Sequence, residues 1–171
     1  KKGKKGKKGE NEKTNKKNTK NKNNESRDTC KIKKGYYPSH IHDAPILNDI
    51  DLLKNNIITG PNASGKTTTL KTFLINIILS QQIGCGFYSD AEFRPFDNIH
   101  CYLNIPDTSG RDSLFQAEAR RCKDIIDSIH ANNNETHICV FDELYSGTNP
   151  EEAVESAGAF MEYLTKYKGV Y

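Results

Sequence analysis

The octapeptide Gly60-Pro-Asn-Ala-Ser-Gly-Lys-Thr67 constrains this chain more than any other feature. It satisfies G-x-x-x-x-G-K-[ST] at every fixed position, a pattern that works where a strand delivers the loop and a helix leaves it. Both flanks fit that context. Residues 56–59 (NIIT) read as a short buried strand ending at Gly60. Residues 66–80 contain no Gly or Pro and are apolar at Leu70, Phe73, Leu74, Ile77 and Ile78, the spacing of one helical face. Glycine at Gly60 and Gly65 allows the tight turn that brings backbone N–H groups onto a polyphosphate, and the helix N-terminus adds partial positive charge. Pro61, Asn62, Ala63, Ser64 and Thr68 complete the expected cradle. Lys66 is expected to reach the β and γ phosphates, and the Thr67 hydroxyl to take one Mg²⁺ position. The expected cofactors are ATP and Mg²⁺.

The other half of such a site is an apolar strand ending in an acid, and Ile138-Cys-Val-Phe-Asp142 supplies it. Asp142 reads as the metal-side carboxylate. Glu143 follows directly, and because successive residues at a strand end point in different directions, it can polarise the attacking water as general base. The pair points to hydrolysis.

Charge divides the chain. Of 171 residues, 1–34 hold 15 of the 25 Lys and Arg and 4 of the 22 Asp and Glu, a balance of +11, whereas the remainder carries 10 against 18, or −8. Residues 1–34 contain one Ile and no aromatic residue, too little apolar surface to offset ordering entropy, so they read as a disordered Lys/Asn-rich arm. The arm reads first as a solvated linker, with weak nonspecific DNA binding or a nuclear address as alternatives. Residues 35–171 read as one domain. The longest apolar run, 73–79, is interrupted by Asn76 and falls short of the ~18–20 residues of a membrane helix, so no membrane partner is expected. No apolar stretch follows the first lysines, and five scattered cysteines show no C-x-x-C spacing. An intracellular location is expected, with cytoplasm and nucleus not distinguished.

Beyond the helix at 66–80, residues 99–103 read as a strand, 113–131 as a helix charged on one face, 137–141 as a strand, 150–167 as a helix opened by Asn149 and Pro150, and 169–171 as the start of another strand. Strands alternating with helices imply an α/β sheet, at least partly parallel. His40 and His42 read as parts of a surface turn, and Arg120 and Arg121 as a solvated helix face.

Four ordered stretches carry a family resemblance. Residues 140–148 (VFDELYSGT) resemble the D-E-x-x-x-G-T segment of the ATPase domain of the DNA mismatch repair MutS family. Asn48-Asp49 and residues 57–67 are similar to that family's approach to its phosphate loop, and Gln82-Ile-Gly-Cys85 to the Q-I-G-C after its helix. Residues 110–118 (GRDSLFQAE) match its S-x-F-x-x-E element. The resemblance spans about residues 37–171 and implies a C-terminal ABC-like P-loop NTPase domain, with a mostly parallel sheet flanked by helices. It further implies that Ser113 reaches the γ-phosphate of an opposite subunit, so that the domain works as a homodimer or heterodimer with a second MutS-like ATPase domain. It also implies that Gln82 contacts the metal or the attacking water, and that Ile46 packs on the adenine.

Ala63-Ser64-Gly65 stands where the family commonly has Met-Gly-Gly, and Ser146-Gly147-Thr148 where it has Arg-Gly-Thr, which indicates a divergent branch. The mismatch-reading and clamp regions expected upstream are replaced by the basic arm, and the switch histidine expected downstream lies past Tyr171, so the chain reads as a fragment. The function expected is Mg-dependent ATP hydrolysis, coupled in the parent protein to mismatched or structured DNA. Another ABC-like DNA-repair ATPase and a nucleotide-binding interaction module with little turnover are the alternatives.

Overall fold

In the computed structural model, residues 30–52, 55–103 and 113–171 are described. Their elements are β1 (Cys30–Gly35), a 3-10 turn (Pro38–His40), β2 (Asn48–Asp51), α1 (Lys66–Ile83), β3 (Asp90–Phe93), β4 (Asn98–Tyr102), α2 (Leu114–Ala131), β5 (His137–Phe141) and α3 (Pro150–Leu164).

α1 lies at the centre. Phe73, Leu74 and Ile77 are buried together with Thr72 and Asn76, so the helix meets protein on several sides. Its two polar core residues are both hydrogen-bonded, Thr72 within the helix and Asn76 also beyond it. Thr72 Oγ1 donates to Thr68 O at 2.8 Å, and Asn76 Nδ2 donates to Thr72 O at 2.8 Å and Tyr36 O at 3.3 Å. Asn76 Oδ1 accepts from Phe87 N at 2.6 Å, which ties the loop before β3 to the helix. The helix ends at Gly84, whose φ of 74° is a left-handed C-cap and whose N–H donates to Ser80 O.

β5 separates two apolar layers by simple alternation. Ile138 and Val140 join Phe73, Leu74, Ile77 and the β1 residues Cys30 and Ile32 on one side. Cys139 and Phe141 face the opposite layer, formed by Cys122, Ile125 and Ile129 of α2 and by Phe160 and Leu164 of α3. Both of these helices carry strong N-caps. Ser113 and Gln116 form a reciprocal capping box at α2, and Asn149 Oδ1 accepts from Glu152 N at 3.0 Å at α3. Pro150 in the first turn and the acids Glu151 and Glu152 suit that end of α3.

The sheet arrangement corrects the expectation of an ABC-like P-loop class with one mostly parallel sheet. The described strands form two sheets: a three-stranded antiparallel one in the order β2-β1-β3, and a parallel pair β4-β5. The parallel pair runs in register from Asn98↔His137 to Tyr102↔Phe141, with α2 as the crossover. The expected strand start at 169–171 adds a short lane beside it. Val170 bridges to His137, and Cys139 N donates to Tyr171 O at 2.8 Å.

Two sequence expectations are corrected with it. Residues 56–59 form no strand; Ile57 is 85% exposed and Ile58 is exposed too, because no strand among the described residues receives their backbone. The arm does not extend to residue 34, since Cys30–Gly35 is the central strand of the antiparallel sheet, with Cys30, Ile32 and Gly35 buried and Lys33 and Lys34 exposed. Residues 1–29 of the expected arm, and 104–112, lie outside the described residues. Among the described residues no helix is long and apolar enough to cross a membrane.

Candidate functional site

The loop at 60–65 and the end of β5 meet through one short hydrogen bond. Thr67, in the first turn of α1, donates from Oγ1 to Asp142 Oδ2 at 2.6 Å, across 75 residues of sequence. Asp142 is held there because its N–H continues the parallel pairing, donating to Tyr102 O at 2.9 Å. Lys66, one residue before Thr67, donates from Nζ to Gly60 O at 3.0 Å and Pro61 O at 2.9 Å, so its ammonium lies over the loop's own backbone.

The loop curls through left-handed backbone at Ala63, with φ 59°, and at Gly65, with φ 92°. The second position is glycine, for which that conformation carries no Cβ penalty. Ser64 N donates to Pro61 O at 3.3 Å, closing the turn, and Thr69 N and Oγ1 both donate to Gly65 O at 2.9 Å as the helix begins. Pro61, Asn62, Ala63 and Ser64 are exposed, while Gly65, Lys66, Thr67 and Thr68 are half-buried.

Glu143 is exposed at the end of β5 and has φ 49°, left-handed backbone in a residue with a Cβ. Such a conformation costs energy and persists where the surroundings over-determine it. Tyr145, two residues on, repeats it with φ 57° while its side chain is buried against Phe115, with ring centroids 5.6 Å apart. A cavity of about 400 Å³ opens beside this turn; Lys66, Asp142 and Glu143 are among its polar lining residues, and Phe73, Ile138 and Met161 among its apolar ones.

Of the residues expected from sequence, Gly60 to Thr68, Asp142 and Glu143 are brought together. Three others are not in this group. Gln82 is exposed in the last turn of α1, about 24 Å from Lys66 at 1.5 Å per residue, so it does not reach the loop at the helix's other end. Ile46 is 82% exposed before β2 and does not line the cavity. Ser113 begins α2, its Oγ accepting from Gln116 N at 3.3 Å, and is likewise outside the cavity wall. His40 and His42 lie in an exposed turn, and Arg121 donates to Cys101 O at 3.2 Å.

Glu118 closes the S-x-F-x-x-E element at residues 110–118, and nothing in that pattern signals its role. It is a buried carboxylate accepting from Ser146 N, Ser146 Oγ and Gly147 N at 2.9, 2.9 and 3.1 Å. The nearby Tyr102 hydroxyl is buried without a hydrogen-bond partner among the described residues, and its own burial, followed by the charge of Glu118, pushes its pKa above the ordinary phenol range. The half-buried thiol of Cys139 is pushed up to about 12 by desolvation, which suits a packing role over a reactive one.

A small α/β domain whose glycine loop is bonded to a strand-end acid is the class that this geometry defines. Residues 56–170 match the family model of MutS domain V, and the chain belongs to that family. It is similar to proteins named endonuclease MutS2: 29% identical over 140 residues to that of Staphylococcus carnosus (strain TM300), covering 79% of this chain and 17% of the relative. Identity is 27% over 142 residues to the Staphylococcus epidermidis (strain ATCC 12228 / FDA PCI 1200) protein, covering 81% and 18%. The Staphylococcus aureus protein is 29% identical over 142 residues, covering 81% and 19%. The chain thus spans less than a fifth of the length of these relatives.

Proposed function

We propose that this domain binds ATP with Mg²⁺ and hydrolyses it, and that in a longer protein this activity is coupled to mismatched or structured DNA and its repair. The Thr67–Asp142 bond carries the reading, because it sets a hydroxyl on the glycine loop against a strand-end carboxylate beside Lys66 and Glu143. One hydroxyl and one carboxylate are hard oxygen donors, and Mg²⁺ commonly takes only one or two protein ligands, with phosphate and water completing its shell. Bound there, the ion would neutralise charge developing on the β and γ phosphates.

The chain's own groups supply the remaining steps. Lys66 leaves the Gly60 and Pro61 carbonyls for the β and γ phosphate oxygens, and the loop and first-turn N–H groups of α1 receive the others. Glu143 orients a water and accepts its proton as the water oxygen bonds the γ phosphorus. The bond from that phosphorus to the β–γ bridging oxygen breaks in line, releasing ADP and phosphate. Ser113 would contribute from a second MutS-like domain, with Ile46 offering the base an aliphatic contact. The substitution Lys66→Ala tests the reading most directly. A labelled ATP analogue titrated with Mg²⁺ should bind the native chain and bind the variant about tenfold or more weakly. Equal affinity of the two would refute a phosphate role for this loop.

A further inference from the structure

We propose that Glu118 is a positioning residue that latches the turn carrying Glu143 onto the first turns of α2, so that the acid end of β5 and the Ser113 cap move as one unit. The carboxylate is 2% exposed and receives three hydrogen bonds from two consecutive residues 28 and 29 positions away. Burying a carboxylate is costly unless its oxygens are satisfied, and here two backbone N–H groups and a hydroxyl satisfy them. The same bonds fix Ser146 and Gly147, which close the turn that began at Glu143.

Two further observations make this a latch between elements. A Cβ built on Gly147 would lie 2.7 Å from Phe115 N and 2.8 Å from Leu114 Cβ, so the turn sits directly on the start of α2 and only glycine allows that approach. Glu143 and Tyr145 both hold left-handed backbone within this turn, which needs outside restraint to persist. Glu118 supplies restraint from a rigid helix whose N-cap is Ser113. The distance along that helix is five residues, about 7.5 Å, too short to flex. Glu118 therefore touches no nucleotide; it acts through Glu143 and Ser113.

The latch itself is independent of any nucleotide, whereas its effect on turnover rests on the ATPase reading. Residue-resolved hydrogen exchange on the whole chain tests the first part. In the native chain the Ser146 and Gly147 amides should exchange slowly, and Glu118→Gln should speed both about tenfold or more while Asp142 N–H, bonded to Tyr102 O, stays protected. Unchanged exchange at both amides would overturn the latch. Gly147→Ala, which forces the turn off α2 with Glu118 intact, should give the same pattern and serves if the Glu118 variant does not fold. For the second part, both variants should keep the KM for ATP within about twofold and lose about tenfold in kcat. A native chain that neither binds nor hydrolyses ATP would sink the ATPase reading and leave the exchange result to decide the latch. A hydrolysing native chain whose kcat survives unlatching would overturn the positioning role alone.

Discussion

Thr67 Oγ1 and Asp142 Oδ2 are 2.6 Å apart, a bond that closes the glycine loop onto the end of β5 from opposite ends of a 75-residue separation. Its partners are the two oxygens proposed to share one Mg²⁺. Thr67→Val keeps shape and removes the hydroxyl, and Asp142→Asn keeps shape and removes the charge. Each should abolish most of the Mg²⁺-dependent gain in ATP-analogue affinity and leave the Mg²⁺-free affinity close to native. Titrations with and without Mg²⁺ read this directly. A Mg²⁺ gain that survives both substitutions would place the metal elsewhere.

The polar centre of α1 is predicted to matter for stability. Asn76 is fully buried, and its Oδ1 accepts from Phe87 N while Nδ2 bonds Tyr36 O and Thr72 O. Asn76→Leu fills similar space but strands the Phe87 N–H, so it should cost about 1–3 kcal/mol. Urea unfolding measures it, and an unchanged midpoint at unchanged slope would show that water or a backbone shift satisfies Phe87.

What was legible in the sequence follows from how local each signal is. Gly60 to Thr67 and Asp142-Glu143 could be read because spacing and flanking runs define them, and β4, β5 and the three described α-helices because their residue patterns and caps are local. Ile57 and Ile58 misled for the same reason: a β-like run carries no record of whether a strand lies alongside it. β1 was hidden by lysines, although Cys30 and Ile32 alternate inward between them. Glu118 was unreadable as a latch because its partners are 28 and 29 residues away. Gln82 was placed at the site by resemblance, and helix length separates it from the loop.

Recognition of β1 also changes how the basic arm can be tested. Removing residues 1–34 would delete the central strand of the antiparallel sheet, so the deletion should stop at residue 29. Residues 1–29 carry 12 of the 25 Lys and Arg. Their deletion should abolish nonspecific DNA binding at ~50 mM salt, and binding by the intact chain should fall steeply by ~200 mM. Filter binding or anisotropy with an arbitrary duplex decides it. Retained binding by the deletion would reveal a DNA site within residues 30–171.

A pH effect is predicted at the parallel pair. His137 Nε2 donates to Asn132 O at 3.0 Å, which leaves Nδ1 to accept from His100 Nε2 at 3.0 Å, with the rings stacked 5.3 Å apart. Burial, then His137 and Arg121, lower the His100 pKa. Asp97, hydrogen-bonded to Thr136 N and Oγ1, is the acid beside His137. A histidine whose folded pKa is depressed binds its proton more readily when unfolded, so stability is full above about 6.5 and declines as pH falls toward the folded value. Tm should drop between pH 7.5 and 5.5, with a smaller drop in His100→Gln. Identical pH profiles for the two would assign the effect to other groups.

The composite site gives the most exposed prediction. If Ser113 acts on nucleotide held by a second domain, specific activity should rise with protein concentration. Glu143→Gln retains size and hydrogen bonding but removes the base, so it should hold ATP and lose turnover; Ser113→Ala should lose turnover with binding nearly intact. Ser113 Oγ already caps α2 by accepting from Gln116 N, yet its hydroxyl hydrogen remains to be donated, so the two roles are compatible. Mixing the two variants pairs one site lacking both Glu143 and the partner's hydroxyl with one site that has both, and some activity should return. Absence of recovery, with specific activity independent of concentration, would reject a two-chain site. Hydrolysis would then depend on Lys66, Thr67, Asp142 and Glu143 of a single chain.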